Sequence, residues 1–345
     1  MEGHPFHSPK KKPYERLRLD SCPEVAVVVI GRNEGPRLET CLSSVQAMDY
    51  ARDRVDIVYV DSSSTDDSVE RAKKLGVRVV ALPPGAPTAA RGRNAGLLAS
   101  QAPYVFFVDG DTIIHPQFLS KAIEFMEERE YVAAVSGYRR EIHPQHSFYN
   151  RVLDLDWISP AGEAGYCGGD AVIRRAVLEQ VGPYAEDLVA GEEPELCHRI
   201  RQEGFKIFRL DLPMTMHDLN IHKFSGYWIR CFRTGYAYAE VSARTNGQTF
   251  GRESRRNQIQ TIAYMAVPLV LLFFLKLLAI PVMIGGVALV LARTVWRARW
   301  RKASFATSLA YAIHGHFCQF PIWFGQLKFY INRRRKVTAS LIEYK

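Results

Sequence analysis

Short apolar runs alternate with amphipathic segments through the first two thirds of the chain. Glu24–Gly31 (EVAVVVIG) is almost entirely apolar, a pattern typical of a strand buried on both faces. The same pattern predicts strands at Val55–Val60, Val77–Leu82 and Tyr104–Asp109, with helices between them at Arg37–Met48, Thr65–Leu75 and Arg93–Gln101. This alternation predicts an α/β fold with a mostly parallel sheet flanked by helices and right-handed crossovers.

The pattern changes after residue 257, where a long apolar stretch begins. Ile262–Trp296 contains only two charges, Lys276 and Arg293, and two prolines, Pro268 and Pro281. One straight helix of this length would overshoot a hydrocarbon core of roughly 30 Å, and two full spans would need more residues. We therefore expect a short membrane hairpin over about 260–297, broken near the second proline.

A second apolar and aromatic stretch, Phe305–Tyr330, is diluted by polar residues: His314, His316, Gln319, Gln326 and Lys328. This composition favours a segment at the membrane interface, over about 304–331, more than a spanning helix. A buried helix pair in a soluble protein is the alternative interpretation of both stretches.

The positive charge of the chain is concentrated near its C-terminus. The net charge is +9, but Leu289–Lys345 holds eleven basic residues and one acid, a net +10, so residues 1–288 sum to −1. This indicates a local anionic partner surface and argues against general nucleic-acid binding. Basic clusters flank both apolar stretches: Arg252, Arg255 and Arg256; Arg297, Arg299, Arg301 and Lys302; and Arg333–Lys336. The positive-inside rule places all three on the cytoplasmic side.

The cysteines and the N-terminus favour a reducing compartment. The six cysteines show no CxxC pair and no zinc-ligand spacing, which indicates reduced, buried thiols. Residues 1–22 form a polar, basic arm with no apolar core, so we expect no secretory signal.

Polar residues follow the predicted strands at the edge where open α/β sheets bind ligands. Asp61 ends the second strand, and Asp109 and Asp111 follow the fourth. The last two are hard oxygen ligands suited to Mn²⁺ or Mg²⁺, which would hold phosphates, and Arg91 is a candidate partner for phosphate charge. Together these groups predict a nucleotide-diphosphate site. The alternative interpretation is that Asp109 and Asp111 are two solvated aspartates in a turn.

In this order the motifs resemble those of the family 2 glycosyltransferases, over roughly Glu24 to Asn220. The resemblance implies a GT-A nucleotide-sugar-binding fold. It implies that Arg32, Asn33 and Glu34 form the first nucleotide-binding segment and that Asp61 contacts the base. It also makes Asp111 the main metal ligand, with Asp109 on the ribose or the metal.

Three further segments carry the resemblance. Gly168, Gly169 and Asp170 match the turn that lines the sugar and acceptor pocket, although an ordinary glycine turn is the alternative. Glu192 and Glu193 match a Glu-Asp pair, and an inverting enzyme needs such a carboxylate as general base. We assign that role to Glu193, and Glu192 is the second candidate. The structural alternative is that these acids lie in the first turn of a helix and stabilise its dipole. His217 matches the histidine that completes many GT-A metal sites, or it is structural.

These assignments predict a domain plan. The GT-A catalytic domain spans 23–220, with a nucleotide-binding half over about 23–111 and an acceptor half over about 112–220. An amphipathic connector, 221–257, leads to a membrane-associated region, 258–345, that includes the basic tail.

The resulting functional hypothesis is a Mn²⁺- or Mg²⁺-dependent inverting transferase at the cytoplasmic face of the inner membrane. We expect a UDP-sugar donor and, as acceptor, a polyprenyl-diphosphate-linked saccharide for surface polysaccharide synthesis. Transfer to polyprenyl phosphate, nucleotidyl transfer and a non-catalytic membrane adaptor are the alternatives. The chain lacks the Gln-x-x-Arg-Trp motif of processive members.

Overall fold

The computed structural model describes residues 22–85 and 88–337, so the predicted N-terminal arm, apart from Cys22, and residues 338–345 lie outside the described part. The strands there are β1 Val25–Gly31, β2 Val55–Asp61, β3 Arg78–Ala81, β4 Tyr104–Asp109, β5 Thr112–Ile114, β6 Val132–Glu141, β7 Gly162–Ala164, β8 Ala171–Arg174 and β9 Lys206–His217. The helices are α1 Pro36–Gln46, α2 Ser68–Lys74, α3 Ala89–Leu98, α4 Phe118–Glu127, α5 Phe148–Trp157, α6 Arg175–Val181, α7 Glu192–Gln202, α8 Phe224–Arg244, α9 Gly251–Leu275, α10 Ala279–Ala298, α11 Phe305–Phe317 and α12 Gln319–Arg335.

One sheet runs through the N-terminal domain in the order β3-β2-β1-β4-β8-β6-β9-β5, with β7 paired to β9. The first four of these strands are parallel. β8 is antiparallel to β4 and to β6, whereas β6 and β9 are parallel. The predicted α/β class is therefore confirmed, with a parallel first half and a mixed second half.

The apolar runs explain why the central strands are buried on both faces. Val27 and Phe106 belong to one hydrophobic core, together with α1 and α4. Their neighbours Val28 and Phe107 belong to a second core on the opposite face, with α3 and α7. Because successive side chains of a strand alternate between faces, an unbroken apolar run fills both cores.

The register of the parallel strands brings their carboxyl ends to one edge. Gly31 of β1 pairs with Asp61 of β2, and Ile30 pairs with Asp109 of β4. The segments identified from the sequence therefore start from the same edge of the sheet.

The helices after residue 250 form a hairpin and a supporting pair. A 3₁₀ turn, Lys276–Leu278, breaks the apolar stretch three residues before Pro281. Tyr264 on α9 and Thr294 on α10 both hydrogen-bond His316, so the two helices run back along each other. Among the described residues, Gly251–Arg301 is the helical stretch long and apolar enough to cross a membrane, and 6% of its most apolar window is buried.

The segment predicted to be interfacial consists of α11 and α12, and both pack on the rest of the protein. α12 crosses α8 closely at Gly235 and Gly325. α11 contacts the end of α5, where Asp156 accepts hydrogen bonds from Tyr311 and His314. The C-terminal helices are thus joined to the domain that carries the candidate site.

Candidate active site

The loops after β1 and β2 hold each other at the sheet edge. The backbone N–H of Asn33 donates to Ser64 Oγ (2.9 Å), and the N–H of Thr65 donates to Asn33 Oδ1 (2.8 Å). Asp61 is buried and accepts bonds from the Tyr59 hydroxyl and the Ser64 N–H, both at 2.9 Å. Asp61 and Asn33 therefore occupy one fixed corner of the edge.

The other residues of the predicted nucleotide segment lie beside this corner. Glu34 forms a 2.8 Å ion pair with Arg37, and Arg32 is the first residue after β1. Arg91 lies in the first turn of α3, with its guanidinium group beside Gly85.

Asp109, Asp111 and His217 meet where β4 and β9 end. His217 Nε2 lies 3.1 Å from Asp111 Oδ1 and 3.6 Å from Asp109 Oδ2. Burial opposes the charge on Asp109, but His217 and Arg93 lower the pKa of its carboxyl group well below its usual value. Residues more than a hundred positions apart thus form one cluster.

This cluster fits a divalent cation of the Mn²⁺ or Mg²⁺ class. Its donors are carboxylate oxygens and an imidazole nitrogen, which suit Mn²⁺ and, through the oxygens, Mg²⁺. The Nδ1 atom of His217 is buried, and no hydrogen-bond partner for it occurs in residues 22–85 and 88–337. The imidazole nitrogen that faces both carboxylates is Nε2, so Nε2 is the atom placed to bind a cation.

Arg93 connects the two acidic motifs, a role that the sequence analysis did not assign. Its guanidinium group is buried and binds Asp109 (2.9 Å) and Glu192 (2.7 Å). Burial lowers the pKa of Arg93, but Asp109 and Glu192 more than offset this and raise it above its usual value. Asp109, Arg93 and Glu192 form a chain of charges along the site.

The glycine turn passes close to this chain. A Cβ at Gly169 would lie 2.8 Å from an Arg93 nitrogen and 3.0 Å from Asp109 Oδ2, so a side chain there would collide. Gly168 has a φ of +89°, a conformation that glycine adopts readily. Both positions therefore require glycine, as is typical of a turn that packs against a ligand site.

Asp170 supports the site and does not line the pocket as predicted. It is fully buried, and its carboxylate accepts the Asp109 N–H (3.0 Å) and the Thr215 hydroxyl (3.0 Å) and pairs with Arg139 (3.0 Å). Its charge is thus fully engaged beneath the strand end, where it fixes Asp109.

Glu192 and Glu193 open α7 but point into different surroundings. Glu192 is partly exposed and bound to Arg93. Glu193 is buried, and its Oε1 accepts the Cys167 N–H (2.7 Å) and the thiols of Cys197 (2.9 Å) and Cys167 (3.3 Å). These three bonds all go to Oε1.

The family match decides the identity of the N-terminal domain. The family model Glycosyl transferase family 2 matches residues 26–182. Those residues belong to that family. The resemblance stated from the motifs is therefore confirmed.

Two relatives that are similar to this chain cover about half of it. Glycosyltransferase AglE of Haloferax volcanii is 23% identical over 54% of this chain and 64% of its own length. The cellulose synthase 1 catalytic subunit [UDP-forming] of Komagataeibacter xylinus is 22% identical over 48% of this chain and 24% of its own. The chain thus spans less than two thirds of either relative.

The structure of the mannosyltransferase PcManGT from Pyrobaculum calidifontis in complex with GDP-Man and Mn²⁺ has a TM-score of 0.60. It is 20% identical, and the match covers 94% of this chain and 92% of that chain. At this identity the likeness shows the fold, so the GT-A fold is confirmed for the glycosyltransferase domain.

Further residues of the glycosyltransferase domain reach the site from α5 and β6. The ring of Trp157 lies 5.3 Å from that of His217, and the guanidinium group of Arg139 lies 5.6 Å from the Trp157 ring. The sequence carried no signal for Trp157, because a tryptophan at a helix end is also typical of a core. Arg93 entered the sequence analysis only as the first residue of a predicted helix, and its role depended on where α3 begins.

Proposed function

We propose that the chain is a metal-dependent inverting glycosyltransferase that uses a nucleotide-diphosphate sugar. The observation that carries the proposal is the convergence of Asp109, Asp111 and His217 with the chain Asp109–Arg93–Glu192. Arg93, Asp109 and Asp111 lie within the residues that match the family 2 model. This arrangement combines a cation site with fixed positive charge at the edge where the fold binds nucleotides.

The donor would lie across the ends of β1, β2 and β4. Asp61 would accept hydrogen bonds from the base, and Asn33 holds the loop beside it. Asp109, Asp111 and His217 would hold Mn²⁺ or Mg²⁺, which offsets the negative charge of the leaving diphosphate. We expect a UDP-sugar, with GDP-sugars as the comparison.

Glu193 would be the general base. Its Oε2 is free of the three bonds that hold Oε1, and its neighbour Cys167 begins the glycine turn beside Asp109. The carboxylate of Glu192 is instead engaged in the 2.7 Å ion pair with Arg93. Glu192 would instead keep Arg93 in place beside the diphosphate.

The acceptor would be held at a membrane, as a polyprenyl-diphosphate-linked saccharide for surface polysaccharide. The hairpin of α9 and α10 exposes large apolar side chains, including Phe273, Phe274 and Leu277. A groove at the start of α9 is lined by Arg252, Arg255, Arg256, Ile259 and Gln260. Cationic side chains beside an apolar hairpin suit anionic lipid or diphosphate at the cytoplasmic face.

The test is turnover by the full chain in detergent, with UDP- and GDP-sugars, Mn²⁺ and a polyprenyl-diphosphate saccharide. We expect release of a nucleoside diphosphate, and a kcat lower by about 10²–10⁴-fold in Glu193→Gln with donor affinity unchanged. Glu203→Gln, an exposed position on the same segment, is the control.

Three results would contradict parts of the proposal. Release of pyrophosphate would indicate nucleotidyl transfer. A mild effect of Glu193→Gln with a large effect of Glu192→Gln would move the base to Glu192. Mild effects of both, with polyprenyl phosphate as a better acceptor, would indicate transfer to that phosphate, because a phosphate needs no general base.

A further inference from the structure

Two buried cysteines enclose the carboxylate of Glu193. The Sγ atoms of Cys167 and Cys197 lie 3.6 Å apart, and each contacts Glu193 Oε1. One ligand atom from each of the three residues lies within 4.8 Å of the others. Glu193 and Cys197 are one helical turn apart on α7, whereas Cys167 comes from the loop before the glycine turn.

We infer that Cys167, Cys197 and Glu193 form a binding site for a thiophilic divalent cation such as Zn²⁺, distinct from the Mn²⁺- or Mg²⁺-type cluster at Asp111. With Zn–S bonds of about 2.3 Å and tetrahedral angles, two zinc-bound sulfurs lie about 3.8 Å apart. The 3.6 Å between the two thiols is close to that value, so the sulfur pair already has the required spacing. The fourth position would take water.

Binding changes the protonation of the cluster. In the free protein each thiol donates a hydrogen bond to Glu193 Oε1. Two Zn–S bonds form as both thiols lose their protons to solvent, and Glu193 Oε1 exchanges its sulfhydryl donors for the cation.

The consequence for catalysis rests on the proposed function. A cation on Oε1 draws electron density from the Glu193 carboxylate and weakens Oε2 as the base that would accept the acceptor proton, so the site would be inhibitory. Its ligands differ from those of the activating cluster, because sulfur favours Zn²⁺ whereas carboxylate and imidazole ligands accept Mn²⁺. Zn²⁺ should thus inhibit even when Mn²⁺ saturates Asp109, Asp111 and His217.

The binding test uses Co²⁺ as a spectroscopic probe of the full chain, in excess Mn²⁺ and without any substrate. We expect one Co²⁺ per chain with thiolate-to-metal charge-transfer absorption, which Zn²⁺ abolishes by displacement. Cys167→Ser and Cys197→Ser should lose this absorption, and Cys22→Ser, a buried cysteine elsewhere, should keep it. Absence of the absorption in the unaltered chain, or its persistence in both serine variants, would overturn the site. If the serine variants do not fold, the spectrum of the unaltered chain and its displacement by Zn²⁺ decide.

The inhibition test is separate. Zn²⁺ should lower turnover of the unaltered enzyme, and the concentration needed should increase at least about tenfold in Cys197→Ser. Equal inhibition of both would overturn the inhibitory role. A chain that is inactive with every donor but shows the thiolate absorption would contradict the proposed function and leave the cation site intact.

Discussion

At the scale of single residues, the site depends on charges that neutralise one another at close range. Arg93 is buried between Asp109 and Glu192. Removal of one partner from such a buried group costs more than the pair contributes, because the remaining charge stays desolvated. The glycine turn is what allows the backbone to pass this close to Arg93 and Asp109.

Gly169→Ala tests this packing directly. The added methyl group would collide with Arg93 and Asp109, so both would move and kcat/KM should decrease on the order of 10²-fold. Gly165→Ala is the matched control, since a Cβ there meets nothing within 4 Å. Steady-state kinetics of both variants provide the measurement. Equal activity of the two variants would show that the geometry around Arg93 is unimportant.

At the scale of elements, the sequence predicted the strands of the first half well. β1, β2 and β4 follow from their apolar runs, and each was placed within about one residue. α3 was predicted to begin at Arg93 but begins at Ala89, because Thr88 caps it by accepting the N–H of Arg91. Because the predicted helix begins one turn later than α3 does, the sequence did not indicate the role of Arg93.

The surroundings of Glu193 were beyond the reach of sequence patterns. Its partner Cys167 lies 26 residues away in an irregular loop, and no periodicity links such a loop to a helix. Glu192 and Glu193 are adjacent and chemically alike, so only the structure distinguishes the neighbour of Arg93 from the neighbour of the thiols. Asp170 was likewise placed in the right region, but its burial could not be inferred.

The crossing of α8 and α12 is the contact that holds the C-terminal helices to the rest. A Cβ at Gly235 would lie 1.8 Å from the Ile322 carbonyl oxygen, so Gly235→Ala should separate the helices and cost about 1–3 kcal/mol. Gly315→Ala in α11 meets nothing within 4 Å and should be neutral or stabilising by up to about 1 kcal/mol. Thermal unfolding in detergent should give a lower Tm for the first variant only. A similar Tm for both would contradict a tight crossing.

At the scale of the whole molecule, the structure connects the candidate site to the apolar hairpin. Trp157 contacts His217, and its neighbour Asp156 binds His314 and Tyr311 of α11. The end of α5 therefore touches both the cation cluster and the C-terminal helices.

The basic groove at the start of α9 should contribute to membrane binding. Replacement of Arg252, Arg255 and Arg256 by glutamine removes three positive charges. We expect the affinity for anionic vesicles to decrease by up to ~100-fold, which corresponds to about 3 kcal/mol of binding free energy. Lys73→Gln with Lys74→Gln, exposed on α2, is the control. Flotation with phosphatidylglycerol and phosphatidylcholine vesicles provides the measurement. An unchanged preference for anionic vesicles in the triple variant would exclude this groove as the lipid contact.

The central claim is that a divalent cation on Asp109, Asp111 and His217 holds the diphosphate of a nucleotide sugar. Isothermal titration calorimetry of the full chain with UDP- and GDP-sugars, in Mn²⁺ and in EDTA, tests it most directly. We predict binding in Mn²⁺, loss of binding in EDTA, and loss in Asp111→Asn even with Mn²⁺. Binding of equal affinity with and without the cation, or in Asp111→Asn, would contradict the account.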